Sequence, residues 1–181
     1  MYYSVIKKND IADGVGVRVS LFVSGCPHKC DGCFNSDTWD FEYGQPFTDD
    51  TIEEIISYLA PAHIRGLTLL GGEPMFKSNQ AALLPLLRRF KETYPDKDVW
   101  CYTGYDFDQY IMPVMMKEWE ETAAFLSYID VLVDGLFIKE LKDWSLKFRG
   151  SANQKIIDVK KSLEVGSAVW HEDFVFDKRE P

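Results

Sequence analysis

Val15-Gly16-Val17-Arg18-Val19-Ser20-Leu21-Phe22-Val23 runs directly into Ser24-Gly25-Cys26-Pro27-His28-Lys29-Cys30-Asp31-Gly32-Cys33, and this junction decides how the rest of the chain is read. In its first half, Val15, Val17, Val19, Leu21 and Val23 alternate with Gly16, Arg18, Ser20 and Phe22. That is the period-two pattern of a strand. In its second half, Pro27 and Gly32 oppose a regular helix, which predicts an ordered loop. Cys26, Cys30 and Cys33 therefore sit just past the C-terminal end of a strand, spaced C-x3-C-x2-C.

Further along, Thr48 reads as a helix cap ahead of Asp49, Asp50, Glu53 and Glu54. Ile52, Ile55, Ile56 and Leu59 then share one apolar face, and Pro61 follows the stop. Leu67-Thr68-Leu69-Leu70 predicts a short buried strand that ends at Gly71-Gly72-Glu73-Pro74. A second helix is expected from Ser78, with Leu83, Leu84, Leu87 and Phe90 inward and Pro85 kinking it or shifting its start. Val99-Trp100-Cys101-Tyr102 reads as a third strand ending at Thr103-Gly104, followed by a helix around Glu118 to Tyr128. Ile129 to Val133 reads as a fourth strand ending at Asp134-Gly135. Beyond it the pattern weakens: Ile156-Ile157 predicts a strand, and Asp177 to Pro181 reads as frayed.

Alternating strands and helices predict an α/β fold with mostly parallel strands and right-handed crossovers. A closed eight-unit barrel takes about 250 residues and seldom fewer than about 200. At 181 residues, the chain is expected to form a single-domain partial, open β/α barrel over residues 1–181. Parallel sheets bind ligands at their strand C-terminal ends, which is where the polar and glycine-rich segments fall.

The net charge of -9 makes the chain a poor partner for phosphate backbones, so neither nucleic acid nor anionic membrane is an expected partner. No apolar run approaches the roughly 20 residues needed to cross a bilayer. Met1 to Asp10 carries Lys7, Lys8 and Asp10 without an apolar segment and is not read as a secretory signal. The expected location is the cytoplasm. There, clustered cysteines more often bind metal or do redox chemistry than form disulfides.

Three local thiolates can converge on one metal centre. A cubane iron–sulfur cluster takes one cysteine per iron, so three leave one iron open to a small molecule. The alternative is a structural zinc site with Cys101 or His28 as fourth ligand. No second pair of cysteines completes the two-knuckle pattern of a zinc ribbon, and His28 lies inside the loop. Gly71-Gly72-Glu73-Pro74 alone is either a tight connection or a place where bared backbone and the Glu73 charge meet a ligand's ammonium group. Cys101 reads as a small buried hydrophobe. His63 and His171 read as surface residues, and Glu118, Glu120 and Glu121 as a solvated helix face. Thr103 and Asp134 either contact a ligand or cap the sheet.

Taken together, C-x3-C-x2-C after the first strand and G-G-E-P after the second resemble the radical S-adenosylmethionine superfamily. The resemblance implies that Cys26, Cys30 and Cys33 hold a [4Fe–4S] cluster. It also implies that S-adenosylmethionine binds the open iron and contacts Gly32, Cys33, Phe34, Gly71, Gly72, Glu73 and Pro74. Further stretches are similar to the activating proteins of anaerobic ribonucleoside-triphosphate reductase: Leu21 to Cys26, Gly32 to Asn35, Gly44 to Thr48, Tyr102 to Tyr105, Val131 to Gly135 and Arg149 to Ser151. Much of the superfamily has an aromatic residue before the third cysteine; here it is Gly32, with Phe34 after, a variation familiar in this subfamily. The tail from Val159 matches nothing placed.

This similarity implies an activase. Reductive cleavage of S-adenosylmethionine yields a 5′-deoxyadenosyl radical, which takes a hydrogen from a glycine of the reductase large subunit. A reduced flavodoxin-like protein is the implied electron donor, and no catalytic residue beyond the cluster ligands is needed. Kept beside it are an activase of another glycyl radical enzyme, of the pyruvate formate-lyase type, and a small radical enzyme acting on a metabolite, of the deazaguanine synthase type. A non-catalytic zinc or iron–sulfur module is the alternative from outside enzymology.

Overall fold

The strand of the opening stretch is buried from Arg18 to Val23, polar side included, so it must be covered on both faces. In this computed structural model, which describes residues 1–177, it lies in a sheet of seven strands. The elements are β1 (Tyr2–Asp10), β2 (Val17–Val23), β3 (Gln45–Pro46), α1 (Asp49–Leu59), β4 (Ile64–Gly71), α2 (Lys77–Thr93) and β5 (Asp98–Tyr102). A π-helical segment (Phe107–Met115), α3 (Met116–Glu118), α4 (Glu120–Ser127), β6 (Val131–Asp134), β7 (Lys155–Asp158) and α5 (Val159–Val165) follow. Of the frayed end expected from Asp177 to Pro181, all but Asp177, which closes a short 3-10 turn, lies outside the described residues.

The strand order is β3-β1-β2-β4-β5-β6-β7. The centre is parallel: β2 with β4, β4 with β5, β5 with β6. The flanks are antiparallel, with β1 on β2, β3 on β1 and β7 on β6. The expectation of mostly parallel strands therefore describes only the centre, and the sheet is open rather than closed. β1 was not foreseen. Its polar run Lys7-Lys8-Asn9 hides the strand from any hydrophobic period, and what fixes it is pairing along β2.

Helix placement follows the sequence closely. Thr48 caps α1, its side chain accepting from the Thr51 amide. Met116–Glu118 and Glu120–Ser127 take the place of the single helix expected around 118–128, and the π-helical turn before them had no signal. α2 starts at Lys77 and runs on through Pro85, so the proline does not displace its start. Neighbouring turns and the packing of Leu83, Leu86, Leu87 and Phe90, all fully buried, carry the helix past the missing donor.

The helices cover one face of the sheet. Val19, Leu21, Leu67, Leu69, Val99 and Cys101 pack there against Ile55, Leu83 and Leu87. On the other face Trp100, Val131, Val133, Ile156 and Phe174 form a smaller cluster. Arg18, fully buried, blocks that face near the N-terminal ends of the strands. Its guanidinium lies 2.6 Å from the Asp98 carboxylate and donates to Thr68 Oγ1 and the Leu67 carbonyl. A buried cation is tolerable only when paired and hydrogen-bonded, so these contacts hold the polar plug in place. What remains open is the opposite end, where the parallel strands finish.

Candidate metal and cofactor site

Three strand ends and one loop build the site. β2 delivers the loop that carries Cys26, Cys30 and Cys33; β4 delivers Gly71-Gly72-Glu73; β5 delivers Thr103-Gly104. Parallel pairing continues past the strands, because the Gly72 amide donates to the Val23 carbonyl at 2.7 Å and the Glu73 amide to Gly25 at 2.8 Å. The chains approach so closely that a Cβ on Gly72 would stand 2.7 Å from the Gly25 carbonyl oxygen, and Gly71 adopts φ +104°. Only glycine meets both demands. The expectation that these glycines bare their amides is thus corrected for Gly72, whose N–H is occupied by β2.

Glu73 has no exposed surface, yet its carboxylate has four partners. Oε1 accepts from the Met75 amide at 2.9 Å and the Thr103 hydroxyl at 2.8 Å. Oε2 accepts from the Gly104 amide at 2.7 Å and lies 2.8 Å from His28 Nε2. A buried carboxylate needs such saturation, since each unmet lone pair would be a desolvation cost. The consequence is mechanical: through His28 one side chain ties the cysteine loop to the ends of β4 and β5. The His28 ring also packs edge-on against Tyr105 at 4.5 Å, and Gly104 leaves it room.

All three cysteines are free thiols, Cys26 buried and Cys30 and Cys33 half-buried. Each sulfur faces backbone donors. The amides of His28 and Lys29 point at Cys26, that of Phe137 at Cys30, and that of Asn35 lies 3.4 Å from Cys33 Sγ. Burial pushes the Cys26 thiol up to about 11 and raises Cys30 in the same direction, so neither is an easy bare thiolate. A bound cation reverses that preference. Amide donors to cysteine sulfur are the usual surroundings of an iron–sulfur cluster and help set its potential. The donor set therefore fits such a group.

A zinc ion needs a fourth ligand besides the three sulfurs. Cys101 is fully buried in the helix-side core, and His28 is engaged by Glu73. A cubane instead places each thiolate on a different iron, farther apart.

The loop and strand ends open on a cavity of about 630 Å³ that meets Cys26, Cys30, Cys33, Phe34, Gly71 and Gly72. Of the other residues expected at the cofactor, Glu73 reaches the cavity wall, whereas Gly32 and Pro74 are not part of its lining. Pro74 is buried behind the turn. Gly32, with φ +71°, faces the Phe137 and Lys139 side chains. Phe34 is 63 % exposed and leans against Phe137 and Trp144 at the rim, with Lys142 over its ring.

The strand-end polar residues resolve differently. Thr103 supports Glu73. Asp134, fully buried, accepts from the Phe107 and Lys155 amides and is an element of the fold. Burial raises it to about 6 against the pull of Lys155. His63 is exposed and His171 half-buried; Glu118 and Glu120 are exposed as expected, whereas Glu121 is half-buried with Oε2 turned out of solvent. Phe137, Trp144 and Gln154 enter the lining without any sequence signal, since they come from the irregular stretch between β6 and β7. Arg149, within a stretch the resemblance had marked, is buried and holds the Ala152 and Gln154 carbonyls.

A family model described as a 4Fe-4S single cluster domain matches residues 12–157. An anaerobic ribonucleoside-triphosphate reductase-activating protein of Haemophilus influenzae is 44% identical over 158 residues, which is 86% of this chain and 97% of the relative. Its namesake in Vibrio cholerae is 44% identical over 157 residues, 86% of this chain and 94% of the relative. That of Escherichia coli K12 is 41% identical over 157 residues, with the same shares. The cysteine loop, its amide donors and the strand ends beneath it all fall inside the matched span, and the chain belongs to the family of anaerobic ribonucleoside-triphosphate reductase-activating proteins.

Proposed function

We propose that this protein installs a glycyl radical in an anaerobic ribonucleoside-triphosphate reductase, using a [4Fe–4S] cluster on Cys26, Cys30 and Cys33 and S-adenosylmethionine as radical source. The carrying observation is three amide-faced thiols at a cavity mouth, with the fourth cysteine, Cys101, buried in the core away from them. Held by Cys26, Cys30 and Cys33, such a cluster would supply the electron for reductive cleavage of S-adenosylmethionine, the radical chemistry that would abstract a hydrogen atom from a glycine of the reductase.

The protein's own residues bind and position. Gly71 and Gly72 form a wall without side chains, against which the amino acid end of the cofactor can lie, while Glu73, through His28, Thr103 and Gly104, holds that wall in register with the cysteine loop. Gly32 permits the turn before Cys33, Pro74 stiffens the turn after Glu73, and Phe34 covers the rim. No side chain need move a proton. The partial-barrel reading belongs with this proposal, since an unclosed sheet leaves a side through which a partner's loop can enter. So do a reduced flavodoxin-like electron donor and work in the cytoplasm; no helix among the described residues is long and apolar enough to cross a membrane.

Anaerobic reconstitution tests the proposal. Iron and sulfide should restore a cluster chromophore, chemical reduction with S-adenosylmethionine should release 5′-deoxyadenosine, and added reductase should gain the doublet spin signal of a glycyl radical. Stoichiometric zinc with no deoxyadenosine overturns it.

A further inference from the structure

The segment from Val159 lies beyond the span that the family model matches, which ends at residue 157, and the likeness assigns it no task. In the structure it turns back on the sheet. α5 stops at Gly166, at φ +80°, and the chain then returns along the outer edge of β7. The Asp158 amide donates to the Val169 carbonyl and the His171 amide to the Ile156 carbonyl, each at 2.9 Å. The short turn Glu172–Asp177 carries Phe174 into the smaller cluster on the second face of the sheet, where it is buried. There Phe174, Trp100 and Phe148 pack edge-on as a closed triangle, with ring centres 5.4 to 5.9 Å apart. Trp170 takes the next residue, the Arg149 guanidinium lying 5.2 Å from its ring centre.

Phe148 and Arg149 belong to the wall of the large cavity, together with Gly150 and Phe137. Phe148 holds φ +54°, a left-handed conformation that a bulky side chain keeps only when its surroundings impose it. Of the two rings that close on it, Trp100 comes from β5 and Phe174 from the tail. The next link is steric: a Cβ on Gly150 would stand 2.9 Å from the Phe137 ring, so that ring rests on the Gly150 backbone. Building on the activase reading above, we propose that the tail braces the cofactor cavity. Phe174 and Trp170 are positioning residues. They hold the Phe148-Arg149 turn, and through it the wall that meets S-adenosylmethionine beyond its amino acid end. Neither is part of the cavity lining, so they set how tightly the cofactor is held and leave its cleavage alone.

The test uses Phe174→Ala and Trp170→Ala, each of which removes one of the two contacts, and Phe174→Met, which restores most of the lost bulk. In the metal-free protein, hydrogen exchange is read at the Gly150 and Ser151 amides, both of which donate to Gln154 Oε1. In either alanine variant these amides should exchange about tenfold faster relative to those of α2, and Phe174→Met should return them close to wild type. In the reconstituted protein, the KM for S-adenosylmethionine in 5′-deoxyadenosine release should rise severalfold in the alanine variants, with kcat held within about twofold. An equal gain in exchange throughout the chain overturns the brace, because Phe174 then only adds to the common core. A KM left at the wild-type value also overturns it, because the turn then moves without consequence for the cofactor. Wild-type protein that takes up a cluster yet releases no 5′-deoxyadenosine overturns the activase reading, and the brace as a device for this cofactor with it, an outcome distinct from either.

Discussion

The cysteine loop and the Gly71-Gly72-Glu73 turn lie against each other and are built in opposite ways. The turn is saturated: its amides continue the sheet, and its one charge has four partners and no exposed surface. The loop is sparsely held. Its backbone is tied mainly at one end, where Gly25 and Cys26 donate to Thr38, Asp40 and Trp39, and Cys30 and Cys33 remain half-buried. On the function proposed above, the difference separates the scaffold from the part that takes up the ligand. A region whose polar groups are satisfied internally resists change, whereas a region whose donors point at bare sulfur is completed by binding.

The comparison breaks most visibly at the thiols. Cys30→Ala should abolish cluster retention and lower deoxyadenosine formation by more than about a thousandfold, yet leave the metal-free protein's denaturation midpoint within about 1 kcal/mol of wild type. A large loss of stability in the metal-free state would show the loop to be scaffold after all. Glu73→Ala should act first on stability. It strands the Thr103 hydroxyl and the Met75 and Gly104 amides in a buried space, at about 3–5 kcal/mol, measurable by urea unfolding without any metal.

His28 joins the two regions, so His28→Ala sharpens the contrast. It should cost about 1–2 kcal/mol by leaving Glu73 one partner short, and slow cluster uptake in timed reconstitution. The smallest effect concerns the far end of the cavity. Asp13, raised to about 7 by burial and by Asp10, holds its proton more tightly in the folded chain than in the unfolded one. Its ionisation therefore opposes folding, and its own contribution to stability falls as pH rises from about 4 to about 7. Asp13→Asn should match wild type at pH 4 and exceed it by on the order of 1 kcal/mol at pH 8, read from paired denaturation curves.

Much of the site was legible because its parts are local. The three cysteines fall within one loop at the end of a strand whose alternation is plain, and Thr48 caps its helix as its residue type demands. Glu73 was legible as a charge at the strand end but not in its partners. A charge reserved for a ligand and a charge saturated by Thr103, Gly104 and His28 look alike in a sequence. β1 and the antiparallel flanks were missed for a related reason: Lys7, Lys8 and Asn9 carry no strand period, and only an available edge of β2 makes them a strand.

By itself the sequence determined which thiols lie together in one loop, the strand that presents them and the glycines that must follow the next strand. Each of these is set by spacing along the chain or by what a backbone without a Cβ can do. Only the tertiary structure decided that Glu73 clasps His28, that Cys101 is withheld in the core, and that Asp13 and Tyr102 share the cavity's far end. Such meetings depend on the register of parallel strands tens of residues apart, and that register is settled by packing over the whole sheet, which no local pattern encodes.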